Sequence, residues 1–266
     1  MVQNLNNRIV HSHRGCPTLA PENTLPSFKL VKEYNPNGYF ETDIQPTSDG
    51  HVVVIHDDYL DRTTNGTGRV DEHTLDEIKQ LDAGSWFDPK FAGTKIMTVD
   101  ELIDMINEEG LNANIEMKTI IGPRAEELAN IEIPKFAKAL DRVKPGIKVM
   151  ISSFSDVLLM KLHEARPQTK LAWLIKTPNM KENWYQIMQA CGCKTIHPSW
   201  RGLTKAQIQQ WKKMGIEVNV WTVDKIDIAN ELWNWGADGV ITNMTQRIFG
   251  QKKGAPEYGH FLKFWE

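Results

Sequence analysis

Residues 39–56 read YFETDIQPTSDGHVVVIH, and the way this stretch pairs with itself decides the fold. Two extended runs flank Asp49-Gly50, a dipeptide typical of a two-residue hairpin turn. Strands joined by so short a turn are antiparallel, so residues 52–56 are predicted to be the return arm of a hairpin. Pairing around the turn places residues whose numbers sum to about 99 opposite each other, so we expect His56 beside Asp43.

Nine short β-branched runs alternate with helical stretches along the chain, which indicates βα units around a parallel sheet. The predicted strands are residues 9–12, 39–45, 52–56, 113–117, 148–152, 171–175, 195–197, 217–222 and 239–242. The predicted helices are residues 23–33, 75–81, 99–108, 124–140, 155–164, 180–190, 204–214 and 225–235. Because the hairpin accounts for one strand, eight parallel strands remain, and they predict an α/β fold, a TIM (β/α)8 barrel. An open doubly wound sheet is the alternative, but no Gly-x-Gly-x-x-Gly turn follows the first strand.

One stretch of the chain departs from this repeating plan. Residues 57–110 span far more than one crossover requires, and the first part of this span, residues 58–93, is rich in Thr, Gly and Asp. Because long excursions in compact domains usually serve function, we expect a small inserted subdomain over the barrel mouth. Residues 1–249 are predicted to form a single barrel domain, and residues 250–266 a C-terminal tail. We expect the aromatic end of the tail to pack against the barrel; contact with a membrane or a partner is the alternative.

The composition is that of an ordinary soluble globular protein, with 266 residues, 31 basic and 34 acidic side chains and a net charge of −3. No clustered cationic face is evident, so a nucleic-acid partner is not expected. No apolar window is long enough for a membrane span, and the polar N-terminus does not resemble a signal peptide. Three cysteines, Cys16, Cys191 and Cys193, are interpreted as reduced thiols of a cytoplasmic protein. The sequence leaves the oligomeric state open.

Acidic residues gather near the carboxyl ends of two predicted strands. Because side chains two residues apart on a strand share a face, Glu41 and Asp43 point the same way, as do Glu116 and Lys118. Three carboxylates can therefore converge inside one barrel mouth, where like charges repel strongly. A divalent cation would relieve that repulsion, and carboxylate oxygens suit Mg²⁺ or Ca²⁺.

Two histidines reach the same rim. His13 follows the first predicted strand and His56 ends the hairpin arm, so the pair could serve as general acid and base near neutral pH. Arg14 suits a phosphate group, because its fork binds oxyanions with two hydrogen bonds. Each residue taken singly also has a structural explanation, and His11, deeper in the barrel, is expected to be structural. The whole set at successive strand ends favours a catalytic site.

The order and spacing of many short blocks resemble the glycerophosphodiester phosphodiesterase family. The first blocks are His13-Arg14-Gly15, Pro21-Glu22-Asn23-Thr24, Glu41-x-Asp43-x-x-x-Thr47-x-Asp49-Gly50, His56-Asp57 and Leu60-Asp61-Arg62-Thr63-Thr64. The later blocks are Asn65-Gly66-x-Gly68, Leu81-Asp82-Ala83-Gly84-x-Trp86-Phe87, Ile96-x-Thr98-x-x-Glu101, Glu116-x-Lys118, Ser153-Phe154 and Val220-Trp221-Thr222-Val223. The resemblance therefore covers nearly the whole chain.

The resemblance implies a barrel enzyme that uses one divalent cation, Mg²⁺ or Ca²⁺, to hydrolyse glycerophosphodiesters to an alcohol and sn-glycerol 3-phosphate. It implies roles for nine residues: the metal ligands Glu41, Asp43 and Glu116, the acid/base pair His13 and His56, the phosphate-binding Arg14 and Lys118, and the pocket-lining Phe154 and Trp221. Asn23 is expected to orient the His13 loop. The attacking oxygen could come from water or from the substrate's own glycerol hydroxyl.

Two positions depart from the family pattern, and three other functions remain open. One is the usual small residue before the His13-Arg14-Gly15 block, which is Ser12 here, flanked by His11. Many family members read Ile-Thr-Asp at the last strand, where this chain has Asn243, which removes a negative charge from the rim. A lysophospholipase D would use the same chemistry but needs an apolar channel beside the metal. A non-catalytic binding barrel would be expected to lose one of the acid/base or metal residues. A nucleic-acid phosphodiesterase would need an extended cationic groove.

Overall fold

Eight parallel strands close into a barrel in the computed structural model, which describes residues 8–35 and 38–249. The strands are β1 (Ile9–Ser12), β2 (Tyr39–Pro46), β3 (Val52–Val54), β4 (Asn112–Met117), β5 (Val149–Ser153), β6 (Lys170–Ile175), β7 (Thr195–Pro198), β8 (Glu217–Val220) and β9 (Gly239–Thr242). Strand β1 pairs in parallel with both β2 and β9, which closes the ring. The predicted TIM barrel is thereby confirmed, and the open doubly wound sheet is excluded.

Helices connect successive barrel strands and cover the outside of the ring. They are α1 (Leu25–Tyr34), α2 (Leu75–Gln80), α3 (Val99–Glu109), α4 (Ala125–Leu140), α5 (Asp156–Ala165), α6 (Trp184–Ala190), α7 (Lys205–Lys213), α8 (Ile226–Trp235) and α9 (Thr245–Ile248). Short 3-10 turns occur at Val70–Glu72, Pro89–Phe91 and Thr177–Asn179. Helix α9 and the 3-10 turns were not among the predicted elements, because segments this short carry no readable period.

Local sequence signals explain where the helices begin and end, as α3 illustrates. Thr98 and Glu101 form a capping box that satisfies the first backbone N–H groups of the helix. Gly110, in the left-handed conformation with φ of 66°, ends it. Its buried residues recur at the helical spacing and face the barrel; they are Val99, Leu102, Ile103, Met105 and Ile106.

Strand β3 is the antiparallel return arm of a hairpin with the second half of β2, as Asp49-Gly50 predicts. The predicted register, which placed His56 beside Asp43, is wrong by one residue. Ile44 pairs with Val54, and the N–H of Ile55 donates to the Asp43 carbonyl at 3.1 Å. His56 lies beyond the last paired residue, so the pleat of the sheet does not dictate the direction of its side chain.

The inserted segment 58–93 builds a small hydrophobic cluster of its own. Leu60, Val70, Ile78 and Ala83 of this segment pack with Ile96 and with Val53 and Ile55 of the hairpin arm. The segment is therefore attached to the barrel through β3. The domain limits 1–249 stay a prediction, and the tail 250–266 lies outside the described residues.

Two further observations bear on the class of protein. Among the described residues, no helix is both long and apolar enough to cross a membrane. Cys16, Cys191 and Cys193 are free thiols, and all three are buried.

The fold buries one carboxylate on the outer layer without a hydrogen-bond partner among the described residues. Glu132 lies on α4, which packs against β2 and β3, and burial raises its pKa to about 8. Because the folded protein holds the Glu132 proton up to that pH while the unfolded chain releases it near pH 4.5, stability falls as pH rises between these values. The loss amounts to about 3 kcal/mol at pH 7.

We expect Glu132→Met to stabilise the protein more at pH 7.5 than at pH 5, because it removes this titration. Urea unfolding at the two pH values measures the difference. The control is Glu231→Met, the same change at an exposed position of α8. Equal pH dependence in the wild type and in Glu132→Met would contradict the prediction.

Candidate active site

A cavity of about 100 Å³ opens at the carboxyl ends of the barrel strands. Its lining contains eight of the nine residues singled out in the sequence: His13, Arg14, Glu41, His56, Glu116, Lys118, Phe154 and Trp221. The ninth, Asp43, is fully buried beside them and lies within ion-pair distance of Arg14 and Lys118. The structure therefore brings the whole predicted set together at one site.

Three carboxylates converge on one point of this site. Glu41 and Asp43 share a face of β2, and Asp43 is the register partner of Glu116 on β4. One oxygen of each can be chosen so that all three lie within 4.8 Å of one another, and all three side chains are buried. Asp43 Oδ1 accepts no hydrogen bond from any described residue. This all-oxygen donor set fits a hard divalent cation.

The electrostatics of the three carboxylates reflect their crowding. Burial, followed by the charges of Asp43 and Glu116, raises the pKa of Glu41 well above its usual value. Burial also raises the pKa of Glu116, although Lys118 opposes the effect. For Asp43, burial is outweighed by the charges of His56, Lys118 and Arg14, so its pKa is lowered. The arrangement stores like-charge repulsion that a bound cation would relieve.

Two cationic side chains flank the carboxylates. Lys118 Nζ lies 2.8 Å from Glu116 Oε1 and 3.6 Å from Asp43 Oδ1. Arg14 Nε lies 3.5 Å from Asp43 Oδ2, and the backbone N–H of Arg14 donates to Glu41 Oε2 at 3.1 Å. The Arg14 and Lys118 side chains therefore lie next to the place where a metal ion at the carboxylates would meet an anionic ligand.

The loop after β1 holds Arg14 in an uncommon backbone conformation. Arg14 and Asn23 both have positive φ, 54° and 55°, which costs energy for residues other than glycine. The N–H of Asn23 donates to the Arg14 carbonyl at 3.1 Å. Asn23 Nδ2 donates to Asp43 Oδ2 at 2.8 Å, and Asn23 Oδ1 accepts from Thr42. Asn23 therefore orients a carboxylate of the site as well as the loop that carries His13.

The two histidines are held by different partners. His13 Nδ1 lies 2.6 Å from the amide oxygen of Asn243, and its Nε2 lies 3.7 Å from Glu41 Oε2. Burial, followed by the charge of Arg14, lowers the pKa of His13 to about 3. His56 Nδ1 lies 2.6 Å from the carboxylate of Asp57. Since both Nδ1 atoms are engaged, both rings have Nε2 left for chemistry.

A bridge from the inserted segment supports His56. Arg62 donates to both oxygens of Asp57, at 2.5 and 2.8 Å, and to both oxygens of Glu22, at 2.8 Å each. Glu22 also accepts from Arg14 at 2.9 Å. Sequence reasoning placed Glu22, Asp57 and Arg62 in family blocks without a contact between them. Only the adjacency of His56 and Asp57 was a readable signal for any part of this bridge.

The aromatic residues of the cavity, His11 and the aromatic residues of the inserted segment lie in three different places. Phe154 and Trp221 meet edge to face across the cavity, with ring centroids 5.5 Å apart. His11 is fully buried outside the cavity lining, with its ring 5.3 Å from that of Tyr39, and burial lowers its pKa to about 3. Within the inserted segment, Phe87 meets both Trp86 and Phe91 edge to face, and none of the three lines the cavity.

Comparisons with known proteins agree with this site and fold. Residues 13–247 match the model of the glycerophosphoryl diester phosphodiesterase family. A glycerophosphodiester phosphodiesterase of Caldanaerobacter subterraneus subsp. tengcongensis is 36% identical over 237 residues, which cover 88% of this chain and 93% of the relative. One from Bacillus subtilis is 32% identical, over 91% of this chain and 86% of the relative.

Solved structures give the same result. A phosphodiesterase of Oleispira antarctica, solved with its product sn-glycerol-3-phosphate, has a TM-score of 0.83 and 30% identity, and the match covers 90% of this chain and 94% of that one. A glycerophosphodiester phosphodiesterase of Thermotoga maritima has a TM-score of 0.69 and 26% identity, over 90% and 96% of the two chains.

Barrel, site and relatives together define a (β/α)8-barrel phosphodiester hydrolase. More specifically, the chain belongs to the glycerophosphoryl diester phosphodiesterase family.

The crowding of the carboxylates predicts how the metal-free protein responds to Mg²⁺ or Ca²⁺. At a concentration about 100-fold above Kd, a bound cation should raise the Tm by about 5 °C. Glu41→Gln should lose this rise, because it removes one charged ligand. In EDTA the same variant should be at least as stable as the wild type, because it removes a repulsive charge.

Differential scanning calorimetry with and without metal measures both effects. Glu126→Gln, at an exposed position of α4, serves as the matched control and should keep the full rise. A rise of wild-type size in Glu41→Gln would disprove a metal site at these carboxylates.

Proposed function

We propose that the protein hydrolyses glycerophosphodiesters to an alcohol and sn-glycerol 3-phosphate, with one divalent cation, Mg²⁺ or Ca²⁺, held by Glu41, Asp43 and Glu116. The observation that carries the proposal is the convergence of these carboxylates, within 4.8 Å, beside the cavity that His13 and His56 line. Such a cation supplies positive charge that stabilises the phosphoryl oxygens as negative charge develops on them.

Arg14 and Lys118 are the residues that would bind the phosphodiester. Both line the cavity, and both are held next to the carboxylates by ion pairs of 2.8 to 3.6 Å. Because these cations are positioned before the substrate arrives, they can meet the charge of the transition state with little reorganisation. The Glu22 carboxylate fixes the far end of the Arg14 guanidinium, which favours one orientation of its fork.

His13 and His56 are proposed to form the acid/base pair. One histidine removes a proton from the attacking oxygen, and the other protonates the oxygen of the departing alcohol. Each ring is fixed through Nδ1, by Asn243 or by Asp57, so each can exchange a proton through Nε2. The two rings line the same cavity, as a reaction with proton transfer on opposite sides of the phosphorus requires.

The lining of the cavity favours a small hydrophilic substrate over a lysophospholipid. Most of the residues that line it are charged or polar, whereas an acyl chain would need an apolar channel. Phe154 and Trp221 offer an apolar wall for a glycerol backbone, whereas the aromatic cluster of the inserted segment lies elsewhere. A lysophospholipase D activity remains the alternative outcome of the test below.

A cytoplasmic location belongs to the same proposal. Support comes from the three cysteines, which are buried free thiols in the described part of the chain. Reduced thiols are the usual state in the cytoplasm, whereas oxidising compartments favour disulfides.

Choline release by the purified protein tests the activity, because glycerophosphocholine and lysophosphatidylcholine both yield choline on hydrolysis. We expect turnover of glycerophosphocholine with Mg²⁺ or Ca²⁺ and its loss in EDTA. Glu41→Ala and His13→Ala should each lower kcat by about 10²- to 10⁴-fold, because they remove a metal ligand and a proton-transfer group. Detection of glycerol 3-phosphate identifies the bond that is cleaved.

Two exposed residues provide matched controls, His51→Gln in the hairpin turn and Glu126→Gln on α4, and both should retain full activity. Faster cleavage of lysophosphatidylcholine than of glycerophosphocholine would reassign the enzyme to the lysophospholipase D class. No turnover of either ester with any metal would favour a binding barrel.

An activated leaving group separates the roles of the two histidines. A glycerophosphate ester of 4-nitrophenol needs no protonation on departure, so the variant that lacks the acid should retain near wild-type turnover of it. We therefore expect one of His13→Ala and His56→Ala, and not the other, to be rescued on this ester relative to glycerophosphocholine. Equal losses on both esters in both variants would contradict a divided acid/base pair.

A further inference from the structure

The side chain of Asn243 lies between His13 and a carboxylate that no sequence motif singled out. Its amide oxygen is 2.6 Å from His13 Nδ1, and its Nδ2 donates to Asp224 Oδ2 at 3.0 Å. The backbone N–H of Asn243 donates to Asp224 Oδ1 at 2.8 Å, and Thr242 Oγ1 donates to the same oxygen at 3.2 Å. Asp224 thus binds the turn after β9 through three donors.

These contacts determine which way the Asn243 amide faces. An ionised carboxylate only accepts hydrogen bonds, so the NH₂ end of the amide must face Asp224. The carbonyl end must then face His13, and because a carbonyl oxygen cannot donate, the proton of the contact lies on His13 Nδ1. In the neutral ring the lone pair is therefore on Nε2, the atom that lies 3.7 Å from Glu41.

We propose that Asp224 is a positioning residue: it locks the amide of Asn243, which in turn holds His13 in the Nδ1–H tautomer with Nε2 directed into the cavity. This inference rests on the proposed function, in which His13 Nε2 exchanges a proton with the reacting oxygens. Asp224 itself does not line the cavity, so its effect passes through Asn243.

Charge explains why an amide is suited to this place. His13 lies beside Glu41, whose neighbours Asp43 and Glu116 already crowd the site with negative charge. A carboxylate at position 243 would add another negative charge to that side, and it would face Asp224 directly at about the present 3.0 Å. An amide orients the ring without either repulsion.

Exchanging the side chains of Asp224 and Asn243 tests the positioning role of Asp224. Asp224→Asn lets the neighbouring amide rotate, and Asn243→Asp sets two carboxylates against each other. Each single variant should lower kcat on glycerophosphocholine by about 10- to 100-fold, the range typical of hydrogen bonds that orient a reacting group. KM and the metal-induced rise in Tm should stay near wild-type values, because neither Arg14 nor the three carboxylates change.

The double variant Asp224→Asn/Asn243→Asp restores a donor opposite every acceptor. The carboxylate introduced at position 243 would accept from His13 and from the amide introduced at position 224. The oxygen of that amide would in turn accept from the backbone N–H of residue 243 and from Thr242. We expect kcat to recover to within a few-fold of the wild type, so the two effects should be strongly non-additive.

If Asp224 had a purely structural role, the loss in kcat of the double variant would instead equal the product of the two single losses. Asp227→Asn, at an exposed position of α8, is the matched control and should be silent.

A second readout does not depend on turnover. In protein labelled with ¹⁵N-histidine, the His13 signals, assigned by comparison with His13→Gln, should report the Nδ1–H tautomer in the wild type. Asp224→Asn should shift them toward the other tautomer. If the wild type shows the lock but turns over no glycerophosphodiester, the proposed function fails and the positioning of His13 stands.

Three results would overturn the positioning role. The first is an Nε2–H tautomer of His13 in the wild type, which can be observed even if a variant fails to fold. The second is an Asp224→Asn variant that loses Tm but keeps its kcat. The third is a double variant whose loss in kcat equals the product of the two single losses.

Discussion

Like-charge repulsion among Glu41, Asp43 and Glu116 is the constraint on which the rest of the site depends. Three buried carboxylates within 4.8 Å of one another are costly unless opposite charge surrounds them. Arg14 and Lys118 supply part of that charge, and the strained loop after β1 is what brings Arg14 close enough. Burial and the neighbouring carboxylates raise the pKa values of Glu41 and Glu116 despite these two cations.

The ion-pair network of the site extends beyond its three central carboxylates. Glu22 and Asp57 join the three central carboxylates through Arg14, Arg62 and His56. Arg14 therefore shares its charge between Glu22 and Asp43, and Arg62 shares its charge between Glu22 and Asp57. Neither guanidinium is available to neutralise one carboxylate alone.

Sequence reasoning succeeded where a regular period or a short turn governs position. The barrel strands follow from the β-branched runs, the hairpin from the Asp49-Gly50 dipeptide, and the shared face of Glu41 and Asp43 from the two-residue repeat of a strand. It could not supply contacts between loops, such as Arg62 with Glu22 across 40 positions, because irregular backbone has no repeat. Asn243 was recognisable as a departure from the family pattern, but its partner Asp224 emerges only from the packing of the β8 and β9 ends.

The hairpin arm shows why the barrel, the inserted segment and the proposed acid/base pair depend on one another. Val52 and Val54 face the main core, whereas Val53 and Ile55 face the small core of residues 58–93, so the arm alternates between two hydrophobic clusters. His56 follows directly and is held through Asp57 by Arg62, which comes from the inserted segment itself. Both clusters must therefore pack correctly before His56 is positioned. A one-residue shift of the arm would exchange the valines between the two cores, which penalises any other register strongly. The inserted segment thus orients His56 through the contact of Arg62 with Asp57, although none of the segment's residues lines the cavity.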